Sequence, residues 1–109
     1  MEITEGTVGG AVVLRPSGRL DGSSAPSFEE AVLQRIEGRP RRVVLDLAGL
    51  DYVSSAGLRA ILVAVKRGKS VGCGLAVCNL QPHIREVFDL SGFGNVVAIH
   101  ATLEEAVAP

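Results

Sequence analysis

Short β-branched runs alternate along the chain with segments whose apolar residues recur at helical spacing. Ile3 to Val8 predicts a first strand and Ala11 to Arg15 its partner. Gly9-Gly10 between them suits a two-residue hairpin, because both central positions of that tight turn need a positive φ. After an expected loop, Gly18 to Ser24, the segment Pro26 to Glu37 brings Phe28, Val32, Leu33 and Ile36 onto one helix face. Pro26 fits the first turn, where a missing N–H costs nothing, and Gly38 is a natural stop.

Arg42 to Leu47 is nearly continuous in apolar residues, the pattern of a strand buried on both faces. It is expected to run into a loop, Ala48 to Val53, and then a second helix from Ser55 to about Arg67. There Leu58, Ile61, Leu62 and Val65 fall at i, i+3, i+4 and i+7. Gly74 to Cys78 predicts another strand. Pro82 opens a third helix, with Ile84, Val87 and Phe88 inward and Gly92 closing it. Val96 to Ile99 predicts a last strand, and Thr102 with Glu105 forms the capping box of a short final helix. Strand–helix alternation after a hairpin predicts an α/β fold. Its sheet is mixed and mostly parallel, with right-handed crossovers and about four covering helices.

Composition narrows the function classes. A chain of 109 residues, 47% hydrophobic, has the size and core of one domain, taken as 1–109. Eleven basic residues against twelve acidic give a net charge of −1, which argues against direct nucleic-acid binding. Cys73 and Cys78, with only two histidines elsewhere, make neither a disulfide framework nor a zinc site. They read as buried, reduced thiols of a cytoplasmic protein. The N-terminal segment lacks the basic flank and apolar block of a secretory signal. The longest aliphatic run, Ala60 to Val65, falls far short of the roughly 20 residues of a membrane span. No cofactor or metal is expected.

Candidate chemistry concentrates in Leu45 to Leu62, LDLAGLDYVSSAGLRAIL. Ser54 or Ser55 would cap the helix that follows. A helix start also favours negative charge, so a phosphate on Ser55 would leave the fold intact. A second loop, Asp21-Gly22-Ser23-Ser24, reads as a turn ending in a serine cap, with Asp21 stabilising the helix's positive end. Both loops leave the carboxyl end of a strand and enter a helix. On parallel neighbouring strands they would share one rim, where ligands gather on open α/β sheets.

Other motifs are weaker. Val53 to Gly57 is one glycine short of a nucleophile elbow, and Ser55, Asp89 and His100 follow hydrolase order, but no glycine-rich oxyanion segment precedes the serine. His83 and His100 read as ordinary surface residues. Gly68-Lys69-Ser70 and Gly72-Cys73-Gly74 fail the spacing of phosphate-binding loops and read as turn glycines. Arg39, Arg41 and Arg42 read as a solvated loop edge open to an acidic partner.

Taken together, GRLD at 18–21, VVLDLAGLDYVSSAGLRAIL at 43–62 and HIREVFDLSGF at 83–93 resemble the STAS family, whose well-known soluble members are bacterial anti-sigma factor antagonists. The resemblance implies partner switching. An unmodified antagonist binds an anti-sigma factor, usually itself a serine kinase, and frees a sigma factor; phosphorylation ends the association and a phosphatase reverses it. By alignment the phosphoacceptor falls on Ser55, with Ser54 a rival. Asp21, Gly22, Ser23, Ser24, Ser54, Ala56, Gly57 and Leu58 form the implied partner-binding surface. One common form of the motif is DSSGL. Here Ser54 replaces its acidic residue and Ala56 its second serine. The family also implies an alternative, a docking or ligand-sensing subunit of a transporter or sensor complex that works without phosphorylation.

Overall fold

β1 (Glu2–Val8) and β2 (Ala11–Leu20) form the expected antiparallel hairpin, with Val8 opposite Ala11. Gly9 and Gly10 take φ of 57° and 81°, left-handed values that a side chain resists. The computed structural model describes all of residues 1–109. It continues through α1 (Ala25–Glu37), β3 (Arg42–Asp46), β4 (Leu50–Val53), α2 (Ser55–Val71), β5 (Gly74–Cys78), α3 (Pro82–Leu90), β6 (Ala98–His100) and α4 (Leu103–Val107). A single 3-10 turn, Phe93–Asn95, precedes β6, which therefore starts two residues later than the sequence predicts.

The sheet runs β1-β2-β3-β5-β6, and only the β1–β2 pair is antiparallel. β2 is twice the predicted length and has two successive parallel neighbours. Val12 to Leu14 pair with Val43 to Leu45 of β3, and Gly18 to Leu20 then pair with β4. The segments expected as loops at 18–20 and 50–53 are thus strands. Pro16 and Gly18 disguise the first: Pro16, without an N–H to give, falls in the gap between the two ladders. Gly18 takes φ 101°, where the register shifts. In β4 only Leu50 and Val53 are buried, too few for a readable period. A tight turn joins β3 to β4. Leu50 N–H donates to Leu47 O, and Gly18 N–H donates to Gly49 O.

α1, α2 and α3 cover one face, where Phe28, Val32, Ile36, Ile61, Ile84 and Phe88 meet the apolar side of the sheet. The other face is capped by α4, whose Ala106 packs on Ala11, Val13, Val44 and Cys78. In the basic loop the Arg39 side chain is exposed and unbonded as expected, but Arg41 and Arg42 are not free. Arg41 donates to the carbonyls of Gly9 and Val107, and Arg42 to those of Ala106 and Ala108. Carbonyls at a helix end have no intrahelical donors, which is why guanidinium groups suit them. α2 runs a turn further than predicted, to a left-handed Gly72 whose N–H bonds Gly68 O. Gly68 is therefore a buried helical residue, not a turn glycine. At α4, Thr102 Oγ1 accepts from Glu105 N–H as expected, but Glu105 Oε2 accepts from Ala101 N–H rather than from the cap itself. Both thiols are buried, and burial with the nearby Asp46 charge pushes Cys78 up to about 12. No helix is long and apolar enough to cross a membrane.

Candidate functional site

The β2–β4 pairing sets two strand ends side by side. Leu20 lies opposite Val53, and Ser54 N–H donates to Leu20 O at 2.9 Å. The two candidate loops therefore do share one rim. Gly57 makes the junction close: a Cβ there would lie 2.7 Å from Leu20 O and 2.8 Å from Leu20 Cγ. Only glycine lets the first turn of α2 rest on the end of β2.

The adjacent serines divide the work. Ser54 is the cap residue in extended conformation, and its Oγ accepts a 3.3 Å bond from Gly57 N–H. Ser55 is the first helical residue and is exposed. Its hydroxyl joins none of the chain's internal hydrogen bonds. Ala56 and Leu58 behind it are half-buried.

The Asp21–Ser24 corner is closed on itself. Asp21 Oδ1 accepts from Ser23 Oγ–H at 2.7 Å, from Ser23 N–H at 3.0 Å and from Ser24 N–H at 3.3 Å. The hydroxyl and amide of Ser23 foremost hold the Asp21 carboxyl below the usual carboxylate range. Ser24 does not cap α1 as predicted. Its buried Oγ donates to Arg19 O at 2.7 Å and accepts from Asp21 N–H at 3.0 Å. Gly22 and Ser23 are exposed, whereas Ser24 and Gly57, expected in the partner surface, are buried and support it instead.

Three neighbours escaped the sequence reading. The Arg19 guanidinium lies 4.1 Å above the Tyr52 ring and pairs with Asp21 at 3.7 Å. Only the β2–β4 register, Arg19 opposite Tyr52, reveals that stack. His83 is more than a surface residue: its Nε2–H donates to Asp51 O at 2.6 Å, tying the start of α3 to β4. The hydrolase constellation does not assemble. Asp89 is held by Arg85, and β6, with His100, lies three strand spacings from β2, about 14 Å. The surface has no pocket and no cluster of three metal-ligating side chains. A rim without a pocket and with one free serine hydroxyl is suited to docking another protein.

The family model described as the STAS domain matches residues 2–106. This chain belongs to the STAS family. Similar to it at 37% identity is BtrV of Bordetella bronchiseptica, by name a candidate anti-sigma factor antagonist, over 99% of this chain and 93% of that protein. The crystal structure of an anti-sigma factor antagonist from Mycobacterium paratuberculosis superposes with a TM-score of 0.84 at 25% identity, over 97% of this chain and 90% of that one. The fold also matches SpoIIAA, an anti-sigma factor antagonist solved in unphosphorylated and phosphorylated forms. The TM-scores are 0.78 and 0.72 at 23% and 24% identity, each over 97% of this chain and over 93% and 96% of those chains. The α/β architecture predicted for a STAS domain, with its N-terminal hairpin and four helices, is the one observed.

Proposed function

We propose that this STAS protein is an anti-sigma factor antagonist switched at Ser55. Unmodified, it docks through the rim on an anti-sigma factor with serine kinase activity and releases a sigma factor. The kinase then transfers the γ-phosphoryl group of ATP to Ser55 Oγ, the hydroxyl proton departs and ADP leaves. A phosphoserine phosphatase restores the hydroxyl by hydrolysis. The protein acts by binding and supplies no catalytic step of its own.

The observation that carries this reading is the division between the two serines. Ser54 is spent on the helix cap, while the Ser55 hydroxyl is exposed and bonded to nothing in the chain. A neutral hydroxyl is readily desolvated in an interface. A phosphate carries about −1.5 to −2 charges, and opposite the wrong groups it costs several kcal/mol. The contact surface comprises Ser55, Gly22 and Ser23, flanked by the half-buried Asp21, Ser54, Ala56 and Leu58 and by the Arg19–Tyr52 pair.

Calorimetry against the cognate kinase tests it. Ser55→Ala should bind as the parent does and accept no phosphate, whereas Ser55→Asp should lose at least a hundredfold in affinity. Ser54→Ala should still be phosphorylated, with peptide mass spectrometry placing the group on Ser55. Equal affinity of parent and Ser55→Asp would remove the mechanism.

A further inference from the structure

Arg59 stands four residues beyond Ser55 on α2, and both are exposed. Side chains at i and i+4 are neighbours, with Cβ atoms about 5–6 Å apart. Helical side chains also lean back toward the N-terminus, so the turn that begins with Ser55 is within reach of Arg59. Its guanidinium is uncommitted. Of the other eight arginines five pair with carboxylates and two hold backbone carbonyls, whereas Arg59, like the distant Arg39, makes no side-chain ion pair or hydrogen bond. α2 contains no acidic residue to claim it. An unclaimed cation thus stands about one helical turn from an unclaimed hydroxyl.

We propose that Arg59 is the intramolecular counter-charge of phosphorylated Ser55. The inference rests on Ser55 being the modified residue and adds a second component to the switch. In the unmodified chain Arg59 is free to meet an acidic group on the partner. Once Ser55 carries phosphate, the guanidinium is drawn back onto it, and the docking face loses a cation as it gains a dianion. Anion before cation at this spacing is the favourable order along a helix.

The test uses the full chain with phosphoserine genetically encoded at position 55, so no kinase is needed. The second ionisation of the phosphate, ordinarily near 6, is followed by ³¹P NMR. With Arg59 in place the midpoint should lie lower, and Arg59→Gln should raise it by about 0.3 pH units. Arg59→Lys should fall between, since the charge remains without the planar fork. The Arg59 Nε–H resonance should move as the dianion forms. The other charged groups at this corner, Arg19 and Asp21 on one strand end and Asp51 with His83 on the other, are the same in every variant. Equal midpoints for the parent and Arg59→Gln would overturn the proposal. Failure of a kinase to modify Ser55 would instead defeat the functional reading and leave this titration unchanged.

Discussion

Two helices begin at the same rim, α1 after β2 and α2 after β4, and both begin with serines. At α1 the polar groups of the serines close inward: Ser24 is locked between Arg19 O and Asp21 N–H, and Ser23 is bonded to Asp21. At α2 Ser54 carries the structural bond and Ser55 carries none. Position at a helix start therefore does not separate a serine spent on the fold from one left free. The account of hydrogen bonds does, and it leaves one serine hydroxyl in the rim free.

Substitutions can break this contrast, beginning where the two helix starts are joined. Gly57→Ala forces a methyl against the backbone of Leu20 and should destabilise by about 3 kcal/mol, the upper end of overpacking. Chemical denaturation with an unchanged m-value would report it. Ser24→Ala strands Arg19 O and Asp21 N–H in a part-buried corner and should cost about 1.5 kcal/mol by the same measurement. Ser54→Ala removes a cap and should cost about 1 kcal/mol.

Acid gives a gentler probe. The Asp21 carboxyl is held below its ordinary value of 3.8, so its contribution to stability is complete above that value and fades as pH falls through the lower folded-state pKa. Denaturation midpoints of the parent and Asp21→Asn should differ most near neutrality and converge in strong acid. Ser55→Ala should move stability by less than about 0.5 kcal/mol, because nothing in the fold depends on that oxygen. A larger loss would place Ser55 with Ser54 and erase the contrast.

Much of the fold was legible because most elements carry their own period or punctuation. The paired glycines of the hairpin, Pro26 and Pro82 in first turns, and the i, i+3, i+4 stripe of α2 are local signals. β4 and the second half of β2 were not legible. Each is a strand by virtue of the other, across 32 to 33 residues of chain, and Pro16, Gly18 and Asp51 read locally as turn residues. The candidate site was legible where a motif marked it, at Ser54 to Leu58. Arg19, Tyr52 and His83 join it through pairings that only the folded chain makes. Arg41 and Arg42 misled for the same reason, since the carbonyls they serve lie 32 to 66 residues away.

The grip of Arg41 on both Gly9 O and Val107 O has a practical corollary. It fastens the last helix to the hairpin bend, at the far end of β2 from Leu20, a span of nine steps and about 30 Å. Glu2, by contrast, lies opposite Ser17, toward the rim. A fluorophore or surface tether attached after Pro109 would thus leave the rim around Ser55 clear. The same attachment at Met1 would crowd it.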